Sequence, residues 1–245
     1  MTYGIEFENV SKVNHPRIRK TLYGHKIDAI SKPEFCLKRF YLMSGKELSF
    51  RRINNTILFL EKGRLLAKPH KSEIYLPLKY NLTDGDVLSL PSHISHLSAE
   101  EDSVFYLFSD NQTADKTEML RAQKTFDIRE KYWGSIESII SDETLSAKRI
   151  FMNKGKQSSL EYHLQKKEAY FLNSGKLKVG LRVGRAENRS VVLNAGDSYV
   201  IPPGLMHMRI ALEDSVIMEI ATKDDDKDSH IVEDGQTYEH KEIDS

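Results

Sequence analysis

The chain has 245 residues, enough for one large domain or for two domains of roughly 110 residues, each with its own apolar core. Its composition, 39% apolar and 29% charged, is typical of a globular protein. No apolar run approaches the roughly 20 residues of a membrane-spanning helix, so we expect no membrane partner. The 36 basic and 36 acidic residues are interleaved without a basic and aromatic stripe, which argues against nucleic-acid binding.

The predicted location is the cytoplasm. The first residues, MTYGIEFENVSK, lack a basic segment followed by an apolar one, so we expect no signal peptide. Cys36 is the single cysteine and cannot form an internal disulfide, which fits a reducing compartment and a structural thiol.

Most of the chain is predicted to form short strands, rich in β-branched or aromatic residues and separated by Gly, Asn, Asp and Pro. This spacing is typical of an all-β sandwich or barrel. Residues 113–131 alone have a helical pattern, and they form the predicted linker. In chain order the predicted strands are CLKRFYL, TILFL, RLLAK, DVLSL, SVFYLF, AKRIFM, SSLEYH, AYFLN, LKVGLRV, RSVVL, DSYVI, MRIAL and SVIMEIA.

The last 22 residues are strongly acidic. From Asp224 to Ser245 there are nine acidic residues and two lysines, so the rest of the chain carries a compensating excess of about seven positive charges. We predict an acidic, solvated tail over 224–245. The alternative is a segment that folds over a basic pocket or a partner.

The two halves of the chain repeat each other. KRFYLMSGKELSF from Lys38 matches KRIFMNKGKQSSL from Lys148 at an offset of 110, and GDVLSLPSHISH from Gly85 matches GDSYVIPPGLMH from Gly196 at an offset of 111. An offset held over two separate blocks indicates a duplicated unit. The predicted domains are a barrel over 1–110, the linker over 111–131, a second barrel over 132–223 and the acidic tail.

The second copy contains two groups of glycine and polar residues with a characteristic spacing. Gly155, Glu161, His163, Glu168 and Gly175 resemble the first cupin motif, with Glu161 where that motif usually has His. The stretch from Gly196 through Pro202 and Gly204 to His207 resembles the second cupin motif. The resemblance implies two double-stranded β-helix (jelly-roll) barrels in tandem.

The same residues support a metal site on physical grounds. Positions 161 and 163 of a strand point to one face, Glu168 can return to that face on the partner strand, and His207 comes from a strand further along. Two nitrogen and two oxygen ligands suit one divalent ion: zinc, manganese, iron, cobalt or nickel. A histidine in a strand is otherwise a core or surface group, and Glu161 could equally face solvent.

The first copy lacks this ligand set. Arg51 aligns with Glu161 and Ile53 with His163, while His96 keeps the place of His207 and His93 lies nearby. We therefore expect the N-terminal barrel to act as a structural or dimerising partner, within a homodimer.

Local features narrow the resemblance. The segment YWGSIESI from Tyr132, SSLEYH and GDSYVIPPGLMH are similar to stretches of type II mannose-6-phosphate isomerases, although LQKK replaces the histidines and arginine usual after their first ligand. The resemblance implies a metal-dependent sugar or sugar-phosphate isomerase or epimerase that acts through an enediolate. It implies Glu161 or Glu168 as the catalytic base. Candidate substrate-binding residues are Gln165, Lys148, Arg182 and Arg209.

Two other functions remain open on the sequence. The same scaffold could support an iron dioxygenase or a metal-dependent lyase. It could also serve as a non-catalytic tandem cupin that binds a carbohydrate or a small acid. In each case the partner is a small molecule.

Overall fold

The computed structural model describes residue 10 and residues 12–49, 56–69, 79–90, 94–110 and 123–241. The chain divides into two compact units. The first unit is Pro16–Phe126, and the second unit combines Met1–His15 with Asp127–Ser245. No helix in these described ranges is long and apolar enough to span a membrane.

The first unit is built from antiparallel strands in two sheets. One sheet has the order β1-β2-β3-β10-β5-β8-β11 and the other the order β4-β9-β6-β7. The strands are β1 (Ile18–Thr21), β2 (Gly24–Ser31), β3 (Phe35–Leu42), β4 (Glu47–Ser49), β5 (Thr56–Lys62), β6 (Leu65–Pro69), β7 (Tyr80–Leu82), β8 (Asp86–Leu90), β9 (Ile94–Ala99), β10 (Ser103–Asp110) and β11 (Gln123–Lys124).

The second unit has the same construction. Its two sheets have the orders β12-β13-β14-β21-β16-β19 and β18-β17-β20-β15-β22. The elements are β12 (Phe126–Lys131), β13 (Gly134–Ser141), β14 (Ser146–Met152), β15 (Leu160–Tyr162), β16 (Glu168–Ser174), β17 (Lys176–Arg182), β18 (Arg189–Asn194), β19 (Ser198–Ile201), β20 (Met206–Ala211), β21 (Ser215–Ala221), a 3-10 helix (Asp226–Asp228) and β22 (His230–Glu233).

The two units share one strand order. With β11 and β22 set aside, each strand of the second unit takes the place of the strand numbered eleven lower in the first. Paired antiparallel sheets with this arrangement are consistent with a jelly-roll and confirm the all-β prediction. The repeat seen in the sequence is therefore also a repeat of strand topology.

One pair of corresponding glycines, Gly24 and Gly134, shows the repeat at atomic detail. A Cβ atom on Gly24 would lie 2.1 Å from the carbonyl oxygen of Tyr41, and one on Gly134 would lie 1.9 Å from that of Phe151. Both glycines have φ near +145°, at 144° and 147°. Only glycine tolerates both the conformation and the close backbone approach.

The core of the second unit lies between its two sheets. Alternation along β17 buries Leu177, Val179 and Leu181, as expected for a strand with one face on a core. Val10 packs into the same cluster, and its carbonyl accepts a hydrogen bond from the hydroxyl of Tyr199. Val10 thus belongs to the core of the second unit.

The N-terminal segment continues along β19. Asn14 forms a bridge with Ser198, and His15 Nδ1 lies 2.6 Å from Asp197 Oδ1. Residues 10–15 were placed with the N-terminal barrel in the sequence, but their contacts are with the second unit.

The structure corrects two predictions. Residues 111–122 of the expected helical linker lie outside the described residues, but 123–124 and 126–131 are strands, so a helix is wrong for that part. The acidic segment after residue 223 forms the 3-10 helix and adds β22 to the edge of a sheet beside β15. Its backbone pairs with an open strand edge, while most of its acidic side chains remain exposed to solvent.

Candidate metal centre

Three neighbouring strands bring the predicted ligands together. Glu161 lies on β15 opposite His207 on β20, where the two are register partners. His163 follows β15 directly, and Glu168 is the first residue of β16. The chain between His163 and Glu168 turns back from one sheet to the other, so the four side chains come from both sheets.

The four side chains converge. One ligand atom each from Glu161, His163 and His207 lies within 4.8 Å of the others. Glu168 joins them, since its Oε2 is 3.7 Å from His163 Nε2 and its Oε1 is 2.8 Å from His207 Nε2. Both histidines and Glu168 are buried.

The two imidazoles are oriented alike. His163 Nδ1 is 2.9 Å from the carbonyl oxygen of Asp228, and His207 Nδ1 is 3.0 Å from that of Leu205. A carbonyl can only accept, so Nδ1 carries a proton in both rings and Nε2 is the nitrogen that faces the site. Both Nε2 atoms are buried and make no hydrogen bond of acceptable geometry within the described part of the chain.

These orphaned nitrogen atoms fit a metal ion. A ligating histidine usually donates its other N–H to a carbonyl or a carboxylate, as both rings do here. Two imidazoles and carboxylates form a donor set for zinc, manganese, iron, cobalt or nickel. The prediction of one divalent metal site therefore agrees with the donor geometry, which selects none of these metals.

The electrostatics of the imidazoles differ. Burial outweighs the nearby Glu168 carboxylate and lowers the pKa of His163 below its ordinary value, which favours the neutral, ligating form. Burial also acts to lower the pKa of His207, but the contact with Glu168 raises it. The shorter distance to the carboxylate accounts for the difference.

Both carboxylates are ionised. Burial acts to raise the pKa of Glu161, but the Arg209 guanidinium lowers it. In the same way, Lys166 overcomes burial and brings the pKa of Glu168 well below its ordinary value. The two acids thus keep the charge that a metal ligand requires.

A buried ion-pair network adjoins the four residues and was missed in the sequence, apart from Lys148. Lys166 Nζ lies 2.8 Å from Glu168 Oε2 and 3.2 Å from Asp224 Oδ1. Lys148 Nζ lies 2.6 Å from Asp224 Oδ2 and 3.7 Å from Glu219 Oε1. The alternation of β21 was the available signal, because it places Glu219 among inward apolar residues.

Arg209 is the third buried cation of the site, after Lys166 and Lys148. Its Nη2 lies 3.2 Å from Glu161 Oε1 and its Nη1 lies 3.5 Å from Glu219 Oε2. The guanidinium carbon is 5.4 Å from the ring centre of Trp133 and 5.6 Å from that of Tyr170. These rings hold the guanidinium in place by cation–π contact.

The site opens into a cavity of about 290 Å³. Two of the predicted substrate-binding residues, Lys148 and Arg209, line it. Gln165 is exposed and lies outside the lining, while Arg182 borders a separate surface depression with Arg185. The charged residues of the lining are Arg129, Lys131, Lys148, Lys166, Arg209, Glu161, Glu168, Glu219, Asp224, Asp225 and Asp226.

The first unit has a different residue at a key position. Thr56, paired with Leu90 and Ser109, takes the place that Glu168 has in the second unit. His96 contacts Ser49, with Nδ1 2.9 Å from Oγ. Three further positions compared in the sequence lie outside the described residues: Arg51, Ile53 and His93.

The structure is similar to solved oxalate decarboxylases. One aligns with a TM-score of 0.69 at 13% identity and covers 89% of this chain and 77% of that chain. A single-residue variant of the Bacillus subtilis enzyme gives 0.67 at 14% identity over 89% and 77%. The formate complex of the Lactobacillus farciminis enzyme gives 0.67 at 14% over 89% and 86%. The chain therefore has the fold of these structures.

The sequence comparison gives a family match for one segment of the chain. The family model described as Cupin matches residues 132–244, so the cupin resemblance is confirmed for that segment. These matches do not support the narrower resemblance to type II mannose-6-phosphate isomerases. No curated protein matches the chain by sequence.

Proposed function

We propose that the second unit is a metal-dependent enzyme with a cupin fold that acts on a small carboxylic acid, with lyase chemistry as the first reaction to test. The observation that carries this proposal is the convergence of the buried Nε2 atoms of His163 and His207 with two ionised carboxylates. His163 Nε2 makes no hydrogen bond within the described part of the chain, which a purely structural ion-pair network would not explain.

The charge of the cavity supports an anionic substrate. Six carboxylates and five Lys or Arg side chains line it, so a divalent cation turns a net charge of about −1 into about +1. A volume of about 290 Å³ admits only a small molecule. The similar fold of the oxalate decarboxylases supports the same substrate class.

Each residue then has a defined task. The metal, when bound to His163, His207 and the carboxylates, supplies a Lewis acid for an oxygen atom of the substrate. Arg209 binds the substrate carboxylate, since its guanidinium fork matches a carboxylate and its plane is held by two aromatic rings. Glu161, which borders the cavity beside Arg209, is the group proposed to accept a proton from the substrate, through a carboxylate oxygen that does not bind the metal.

Other residues keep the site dry and charged. Trp133 and Ile136 line the cavity with apolar surface and limit the access of water. The Tyr170 hydroxyl donates to Glu168 Oε1 at 2.7 Å, and Lys166 holds the other oxygen. The side chain of Glu168 is 2% exposed and that of Glu161 is 20% exposed, so Glu168 is the weaker candidate for the base.

The test begins with the metal content of the purified full chain, followed by turnover of a panel of small mono- and dicarboxylic acids, including oxalate. We expect one divalent ion per chain and metal-dependent consumption of an acid, with both lost in His163→Ala. Iron-dependent oxygen consumption would assign a dioxygenase instead. A metal-loaded protein that binds a small acid and turns over none of the panel would support the non-catalytic alternative.

A sugar-phosphate isomerase or epimerase is the second candidate. The observation that favours it is the position of Lys148 and Arg209 in one cavity, where two cations can hold a phosphate. Aldoses and aldose phosphates therefore belong in the same panel. Interconversion that disappears in both His163→Ala and His207→Ala would assign this function.

We also propose that the chain is a cytoplasmic tandem cupin that forms a homodimer. The equal strand order of the two units supports two barrels in tandem, with Thr56 at the place of Glu168 indicating a first barrel without the ligand set. Light scattering on the purified chain tests the dimer, and a mass of 28.2 kDa would contradict it.

A further inference from the structure

The acidic segment after β21 forms the outer wall of the metal centre. Its strand β22 pairs with β15, where Ile231 is the register partner of Glu161 and His230 that of Tyr162. The rings of Tyr162 and His230 stack with centres 4.9 Å apart. The segment is therefore fixed against the strand that carries one candidate ligand and precedes another.

Asp228 holds the turn that follows His163. Its Oδ1 accepts a hydrogen bond from the backbone N–H of Leu164 at 2.8 Å, and its Oδ2 accepts from those of Gln165 at 3.0 Å and Lys166 at 2.9 Å. Three consecutive N–H groups thus point at one carboxylate. These charge-assisted bonds also lower the pKa of Asp228, although burial acts the other way.

The same residue sets the ring of His163. The carbonyl oxygen of Asp228 accepts a hydrogen bond from Nδ1–H of His163 at 2.9 Å. The side chain and the main chain of Asp228 therefore bind the same loop at two points. Next to it, Ser229 Oγ donates to Glu161 Oε2 at 3.1 Å. Two of the candidate ligands are therefore oriented by adjacent residues of the acidic segment.

We propose that Asp228 is a positioning residue for the metal centre and that metal binding and the docking of residues 225–233 stabilise each other. This inference rests on the proposed metal site. The carboxylate of Asp228 fixes the residue whose carbonyl selects the Nδ1–H form of His163. Without that anchor the ring can rotate, and Nε2 no longer has one orientation toward the ion.

The experiment compares the wild-type chain with Asp228→Asn and with Glu233→Gln. Asparagine keeps the size of the side chain but replaces one acceptor oxygen by an NH₂ group that faces backbone N–H donors. Glu233 is exposed on the same segment, so its substitution removes the same charge without touching the turn. The affinity of each metal-free protein for Zn²⁺ and for Mn²⁺ is measured by calorimetry.

We expect the metal dissociation constant of Asp228→Asn to rise about 10- to 100-fold, as is usual for residues that orient a ligand, and that of Glu233→Gln to remain within about twofold. In hydrogen exchange of the metal-free proteins, the amides of residues 164–166 should exchange faster in Asp228→Asn than in the wild type. A merely structural Asp228 would lower the unfolding temperature and leave the metal affinity unchanged.

The outcomes separate the two proposals. Wild-type binding with an unchanged affinity in Asp228→Asn overturns this inference and leaves the proposed function standing. A wild-type chain that binds neither Zn²⁺ nor Mn²⁺ overturns the proposed function, and the positioning role falls with it.

A second variant keeps the test decisive if Asp228→Asn does not fold. Ser229→Ala removes one partly exposed hydrogen bond to Glu161, and we expect a loss of affinity of about three- to tenfold. An unchanged affinity in this variant would contradict the role of the segment.

Discussion

The carbonyl oxygen of Asp228 lies 2.9 Å from Nδ1 of His163, and this contact determines which ring nitrogen faces the cavity. Leu205 does the same for His207 at 3.0 Å. In both contacts the partner is a main-chain carbonyl oxygen, which can accept a hydrogen bond but cannot donate one. The two rings therefore present the same nitrogen to the same space before any ion arrives, so little reorganisation is needed on binding.

We expect His163→Ala and His207→Ala to purify without a bound divalent metal, because each removes a nitrogen donor that no neighbouring side chain replaces. Elemental analysis by mass spectrometry provides the measurement. The matched control is His15→Ala. His15 lies in the same unit and its side chain is 73% exposed, so this variant should keep its metal. Retention of one ion per chain in both site variants would place the metal elsewhere.

Metal should stabilise the folded chain. At a free metal concentration about 100 times the dissociation constant, the folded state gains about 2.7 kcal/mol, which corresponds to a rise in Tm of about 5–10 °C. Differential scanning calorimetry with and without a chelator measures this shift. The same additions should leave the Tm of His163→Ala unchanged, and an equal rise in that variant would indicate non-specific binding.

Lys166→Met should lower the free energy of unfolding by about 3–5 kcal/mol in the presence of a chelator, since it removes the cation nearest to the buried Glu168 carboxylate and leaves Asp224 with Lys148 alone. The affected groups are Glu168, at 2.8 Å, and Asp224, at 3.2 Å. Urea denaturation measures the loss. Lys156→Met, a change at an exposed site, should stay within about 0.5 kcal/mol, and an equal loss there would refute the ion-pair explanation.

Gly134→Ala should destabilise the second unit by several kcal/mol, on the order of 3, because the added Cβ would meet the carbonyl of Phe151. Gly184→Ala separates this clash from backbone strain. Gly184 has φ +56° and no described atom within 4 Å of the added Cβ, so its cost should be only about 1 kcal/mol. Equal losses in chemical denaturation of the two variants would contradict the clash.

The residues that converge were predictable because their signals are local. Glycines at Gly155 and Gly175 mark turns, alternation places Glu161 and His163 on one face, and the Pro and Gly before His207 mark the next turn. The sequence repeat also allowed each position of the first copy to be compared with its counterpart in the second. These patterns depend on neighbours in sequence, which one chain supplies.

The residues that were missed depend on contacts distant in sequence. Asp228 lies in a run of acids that composition assigns to solvent, and only the fold shows three backbone N–H groups facing it. Asp224 was missed for the same reason, because nothing in the sequence indicates that its partners Lys148 and Lys166 are buried. The strand at 126–131 likewise replaces a helical pattern, since its neighbour β13 offers an edge for pairing.

The second unit is interrupted in sequence, and this affects the order in which it can form. Val10 and Asn14 leave the ribosome before the first unit, but the strand that binds them, around Ser198, follows only after all of residues 16–126 have been made. At about 5–20 residues per second, the synthesis of that intervening unit takes roughly 6–20 s. Throughout this time the N-terminal segment has no partner surface, so the first unit can fold before the second one closes.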